Sequence, residues 1–281
     1  MSSINTNSGA MVALQMLGGT IERKEDLQED IATGKEVDAA KDNAALWAIS
    51  QVMEVDVAGF SAISESLSLG EATVAVASVG AERLSEVLIE MKQLTLIASS
   101  GTVDYSKIET QMANKTEQLN SIISSSQFNG VNLLKTDIDG TGSSSLAVAA
   151  SLDRQGSAAP TLSTISVDSL DFEGSPSFDI NNRTAITDQA SAQLALSEIE
   201  GFLNFAIEGA ASLGASASRI SDQNGFVGQL ESSMKMGISA MTDTNMEEAS
   251  ARLAALSVQQ QLGGLSLSIA NASPLSLMAL G

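Results

Sequence analysis

The sequence predicts a mainly α-helical chain, an elongated antiparallel coiled-coil or helix-bundle rod formed by both termini, with a small β-hairpin-containing middle insert. Three observations carry that prediction. Apolar residues recur at three-four spacing over spans far longer than a globular helix needs. Aromatic residues make up only 3 % of a chain that is 43 % hydrophobic, with one Trp and one Tyr. Turn-forming Gly, Ser and Pro cluster in one middle stretch. Small aliphatic side chains fill narrow helix-helix seams, whereas thick interiors draw much of their buried area from large aromatics.

Near the start, Glu22, Glu25, Asp26, Glu29 and Asp30 fall within nine residues of an expected helix. With no second ligand group in view they read as a solvated face rather than a cation site. Asp42, between Lys41 and Asn43, stands where a long helix begins and is expected to cap it or favour its dipole. From Ile49 the spacing runs through Met53, Asp56, Phe60, Ile63, Leu67, Gly70, Val74, Ala77, Ala81, Leu84, Leu88, Met91, Thr95 and Ala98. No proline interrupts it, so one helix of about 55 residues would reach ~80 Å, against ~50 Å across for a compact globule of this length.

Residues 105–126 read as a shorter helix with Ile108, Met112, Lys115, Leu119 and Ile122 on one face. Phe128-Asn129-Gly130-Val131 then reads as a turn entering a strand. Gly140, Gly142, residues 143–145, Gly156 and Pro160 punctuate β-favouring runs at 146–149 and 164–167. Residues 136–184 are therefore expected to form hairpins and loops on one end or flank of the rod. The three-four spacing returns at Ile199, Leu203, Ala206, Ala210, Leu213, Ala217, Ile220, Asn224, Val227, Glu231, Met234, Ile238 and Met241. It recurs at Ala251, Ala255, Val258, Leu262, Leu265, Ile269 and Ala272. Two seams so far apart in sequence pair most simply as an antiparallel coiled coil, with Ile63, Leu67, Leu84 and Leu88 meeting Leu213, Ile220, Val227 and Met234.

Composition excludes much chemistry. Without His there is no imidazole base and no zinc site of the usual kinds; without Cys there is no thiol nucleophile or disulfide. A formal charge of −20 with no basic patch argues against nucleic-acid and membrane-surface partners. The last 29 residues, 253–281, carry no charged side chain. Gln259, Gln260, Gln261, Gly263, Gly264 and Pro274 make that stretch a poor membrane span, so it is expected to order against protein partners. The first seven residues lack a basic, then apolar, leader pattern. Asn114-Lys115-Thr116 and Asn182-Arg183-Thr184 match the N-glycosylation pattern, a common chance match. No catalytic, metal or cofactor-binding residue and no enzyme activity is expected.

Several motifs carry a family resemblance: Ile4-Asn5-Thr6-Asn7, Thr33-Gly34, Ala40-Lys41-Asp42-Asn43-Ala44-Ala45, Gln127-Phe128-Asn129-Gly130, Met246-Glu247-Glu248-Ala249-Ser250-Ala251-Arg252-Leu253, Gln259-Gln260-Gln261 and Ala270-Asn271-Ala272-Ser273-Pro274. Together they resemble bacterial flagellin, in a form closest to alphaproteobacterial flagellins. The resemblance implies an inner terminal-helix domain from residues 1–42 and 246–281, a helical rod domain from 43–135 and 185–245, and an outer insert at 136–184. It further implies a homopolymer forming the extracellular flagellar filament for swimming motility, secreted unfolded by the type III apparatus. Hook-associated and cap proteins, and an export chaperone, are its implied partners. Leu14, Leu17, Ile21, Ile31, Val258, Leu262, Leu265 and Ile269 would pack between subunits. A hook-filament junction protein or a specialised minor flagellin is the alternative reading. Asp30, Ala240 and Asn245 stand where the family usually has Arg, Arg and Asp, and Glu90 replaces an Arg read by the host toll-like receptor, so weak recognition by that receptor is expected.

Overall fold

A computed structural model of the chain describes residues 6–154 and 160–278, with side chains described through residue 272. Ile4, Asn5, Gly156, the side chains of Ser273 and Pro274, and Leu280-Gly281 lie outside that description. The elements are α1 (Ser8–Thr33), α2 (Ala44–Ser99), α3 (Tyr105–Ser125), β1 (Ser145–Asp153), β2 (Thr161–Asp168), a short 3-10 turn (Ile180–Asn182), α4 (Gln189–Thr242) and α5 (Met246–Met278). The fold class is the mainly helical one with a small hairpin. The chain divides into a terminal unit, residues 1–57 with 233–281, and a central unit, residues 58–232.

Asp and Asn residues start the helices. Asn7 accepts from the Ala10 N–H at 3.1 Å, and Asp104 accepts from the Lys107 N–H at 3.3 Å. At α4, Asp188 Oδ1 accepts from Ser191 N at 2.8 Å while Ser191 Oγ accepts from Asp188 N at 2.9 Å, a reciprocal cap. For α2 the capping half of the expectation at Asp42 needs correction, because the cap is Asn43. Its Oδ1 accepts from Ala45 N at 3.2 Å and Leu46 N at 3.1 Å. A cap must reach the N–H groups two and three residues onward, and α2 starts at Ala44. Asp42 turns back instead, accepting from Ala39 N at 2.9 Å. Gly34, at φ 75°, ends α1 in the left-handed region and donates its N–H to Asp30 O.

In the central unit α2 and α4 run antiparallel. Ser64 Oγ donates to Asn224 Oδ1 at 2.7 Å, and Lys92 Nζ pairs with Glu200 Oε1 at 2.9 Å. Phe60, Ile63, Leu67, Val74, Ala77, Ala81, Leu84, Leu88, Met91 and Ala98 of α2 are buried, together with Ile199, Ala206, Leu213, Ile220 and Val227 of α4. On α3, Ile108, Met112, Leu119 and Ile123 are buried. Asn129 and Gly130, both at positive φ, close the turn in which Phe128 and Val131 exchange N–H···O bonds at 2.9 Å.

The outer segment lies on the flank of the helices. β1 and β2 pair antiparallel, with an irregularity between Ala149 and Ser151, and bury Val148, Ala150, Ile165 and Val167. Gly70 makes room for Val148: a Cβ there would sit 2.6 Å from the valine Cγ2. Gln223 Nε2 of α4 donates to Ala150 O at 2.8 Å. The return limb is anchored by aromatics, with Phe172 edge-on to Phe178 at 4.8 Å and to Phe205 at 5.3 Å, and Phe178 beside Phe202 at 5.2 Å.

Candidate assembly surface

The terminal unit is built on an antiparallel pair, α1 against α5. Asn7 Nδ2 donates to Ala270 O at 2.7 Å, and Lys24 Nζ donates to Gln260 Oε1 at 2.9 Å. Leu17 packs over Gly263, where a Cβ would come within 3.1 Å of the leucine Cδ1. The α5 residues turned inward are Ala249, Leu253, Leu256, Gln260, Gly263, Leu267 and Ala270, each buried or half-buried. The stripe read from the sequence, Ala251, Ala255, Val258, Leu262, Leu265, Ile269 and Ala272, is exposed along its whole length.

That outward stripe is large and apolar. Val258, Leu262, Leu265 and Ile269 are 54 to 72 % exposed, and Met11, Val12, Leu14 and Met16 of α1 are 56 to 70 % exposed. Ile49, Val52 and Val55 of α2, with Met236 and Met246, extend the set. Among the described residues, 13 of the 22 exposed large hydrophobic side chains thus belong to the smaller unit. Among the described residues, its buried apolar side chains are Val37 and Ala249 alone. A unit that exposes this much apolar surface and buries so little is open to partners. An 18-residue window of α2 reaches mean hydropathy 1.2, long and apolar enough to cross a membrane by length and composition, yet only 17 % of it is buried.

Of the residues read as packing between subunits, Leu14, Val258, Leu262, Leu265 and Ile269 are exposed, whereas Leu17, Ile21 and Ile31 are half-buried. Of those read as an intramolecular coiled coil, Ile63, Leu67, Leu84, Leu88, Leu213, Ile220 and Val227 are buried in the central unit. Met234 is half-buried in the terminal unit. In the turn motif Phe128 is half-buried, and Gln127, Asn129 and Gly130 are exposed.

The linkers of the terminal unit are stitched together. Glu36 N and Val37 N both donate to Thr242 O, at 2.7 and 3.2 Å, and Thr244 N donates to Gly34 O at 2.9 Å. Beside them Asp26, Glu29, Asp30, Glu36, Asp38 and Asp42 line one hollow with Thr33 and Lys41. Lys41 Nζ reaches Glu29 at 3.0 Å. Partial burial, then the charges of Asp42, Glu36, Asp26 and Glu29, push the Asp30 carboxyl above its usual range. No group of three or more potential metal ligands converges among the described residues. Asn245 caps α5, accepting from Glu247 N at 3.2 Å and Glu248 N at 3.3 Å. Asn serves there as well as Asp, and the two glutamates suit the positive end of the helix dipole. Glu90 is paired with Lys115 of α3.

The chain matches the bacterial flagellin N-terminal helical region over residues 4–138 and the C-terminal helical region over residues 196–280. It is 33 % identical over its whole length to Flagellin FljM of Caulobacter vibrioides, 98 % of which is covered. It is 35 % identical to a flagellin of Brucella melitensis and 32 % to Flagellin C of Rhizobium meliloti, with 99 % of each covered. The crystal structure of Bacillus cereus flagellin shares the fold, at TM-score 0.50 and 16 % identity, covering 58 % of this chain and 88 % of that one.

Proposed function

The chain belongs to the bacterial flagellin family, and on that premise we propose that it is a filament subunit whose terminal unit is completed by neighbouring copies of itself. The observation that carries this reading is the uncharged apolar stripe of α5 together with the exposed apolar side chains of α1. Each of those eight side chains is more than half uncovered and has roughly 1 kcal/mol to gain from full burial, about 8 kcal/mol together. Association of two bodies costs about 4–15 kcal/mol in lost freedom. One contact is therefore marginal, and stability requires each copy to touch several others, as in a helical polymer.

The finer parts of the proposal follow the family. The subunit leaves the cell unfolded through the flagellar type III apparatus, helped by an export chaperone, and serves swimming motility in an extracellular filament. Hook-associated and cap proteins bound its ends. A chain without Cys, whose terminal helices bury little surface alone, suits threading through a channel. With Glu90 engaged by Lys115, the surface offers the host toll-like receptor a carboxylate where many flagellins offer a guanidinium, and recognition is weak. Seeded polymerisation of the purified full chain, followed by electron microscopy, tests the reading. Long filaments of this chain alone are expected. Failure to extend seeds, or short caps only, would refute it.

A further inference from the structure

We propose that residues 180–187 form an acid-released strap, in which Glu109 of α3 clamps Arg183 and holds the return limb of the outer segment to the central unit until that carboxylate is protonated. The clamp is bidentate: Arg183 Nη2 donates to Glu109 Oε1 at 2.7 Å and Nη1 to Oε2 at 3.1 Å. The Arg183 side chain is 7 % exposed, so its charge has little access to water. Glu109 Oε2 also accepts the Ile186 N–H at 2.8 Å, and Arg183 Nε reaches Thr116 Oγ1 of α3 at 3.4 Å. One carboxylate thus holds both a buried cation and a main-chain donor of the strap.

The other charged groups facing the strap are few. From α4, Glu198 accepts from Thr184 N and Thr184 Oγ1, both at 2.7 Å. Within the strap region Asp179 accepts from Asn182 Nδ2 at 2.8 Å, and Asp188 is committed to the α4 cap. Further along α3, Lys115 is taken by Glu90 of α2. Among the described residues no second cation replaces Arg183 in these contacts, and Glu109 is the carboxylate that its guanidinium reaches. Loss of the Glu109 charge therefore leaves a buried guanidinium uncompensated, which the strap relieves by lifting into water.

Burial alone would raise the Glu109 carboxyl, but the Arg183 hydrogen bonds and charge and the Ile186 N–H together hold it below its ordinary value of 4.5. The open strap accordingly binds a proton more readily than the closed one. Closure is fully favoured above the ordinary glutamate value and is lost as pH falls toward the lowered one. In that window one linked proton makes opening up to about tenfold easier per pH unit. Ile180 and Ile186, both buried when the strap is closed, become exposed, while the seam between α2 and α4 contains no part of the clamp.

The strap belongs to the isolated subunit and does not depend on assembly. Hydrogen exchange of the full chain, resolved at the Ile186 amide and corrected for intrinsic exchange, is measured from pH 7 to pH 3 beside the amides of Leu84, Leu88 and Met91. Expected are Ile186 protection lower than that of the core amides throughout, a fall in it of up to about tenfold per pH unit below pH 4.5, and loss of that slope in Glu109→Gln. Flat Ile186 protection, Ile186 protection equal to that of the core amides at every pH, or an unaltered slope in the variant would each overturn the proposal.

Discussion

Single residues in this chain answer to what lies opposite them more than to intrinsic preference. Gly70 sits inside a 56-residue helix, where Ala would ordinarily be worth ~1 kcal/mol more. A Cβ at 70 would however meet Val148 Cγ2 at 2.6 Å and Cγ1 at 2.8 Å, and a buried valine has no room to yield. Overpacking of that kind costs about 1–3 kcal/mol, so Gly70→Ala is expected to destabilise the subunit by about 1 kcal/mol in urea melts, with Val148→Ala restoring part of it. Gly214, with nothing within 4 Å of its Cβ position, should behave oppositely, and Gly214→Ala should stabilise by about 0.5–1 kcal/mol. Asp30 offers a charge counterpart. Its carboxyl is raised by partial burial and then by four neighbouring acids, so its ionised form opposes the fold. Stability is fully present below the ordinary carboxylate value of 3.8 and declines as pH rises through the elevated one. Asp30→Asn should therefore raise the melting temperature at pH 7 and leave it unchanged at pH 3; an equal shift at both pH values would contradict this.

At the level of elements, α2 and α5 differ in how much they reveal. On α2 the three-four spacing falls on the buried line itself, so Ile63, Leu67, Leu84 and Leu88 could be read as its buried face, although Val79, Ile89 and Leu96 stand exposed on other sides. Beyond Arg252, α5 has no charge on any side, and periodicity alone could not say which of two apolar lines turns inward. The line with Ala249, Gly263 and Ala270 packs on α1, Leu17 seating over Gly263, and Val258, Leu262, Leu265 and Ile269 remain outside. The aromatic anchor of the outer segment was equally hidden, since Phe172 and Phe178 meet Phe202 and Phe205 only across a change of element. Neither the strap from Arg183 to Glu109 nor the cap at Asn43 rather than Asp42 leaves a periodic signal. A consequence belongs to α5 itself: replacing Leu262 and Leu265 by Ser should cost the subunit about 1–2 kcal/mol and leave it folded, because more than half of each side chain is already exposed. The same pair of changes should abolish seeded growth. Loss of folding in circular dichroism, or normal growth, would contradict that assignment.

For the whole molecule the governing terms are a charge of −20 on every copy and an unfinished terminal unit. Like-charged copies repel over about 10 Å at 0.1 M salt and about 3 Å at 1 M. The concentration needed for growth should accordingly fall as ionic strength rises, and a rise would show that attraction between charges, not apolar contact, drives assembly. The covered core lies in the central unit, while the terminal unit leaves a large share of its apolar side chains exposed. The most direct test compares hydrogen exchange in the isolated subunit with that in the assembled polymer. The account predicts that residues 8–33 and 246–272 gain strong protection on assembly while the buried face of α2 from Leu67 to Met91 changes little. Equal exchange of those terminal helices in both states would contradict the claim that neighbouring copies complete them.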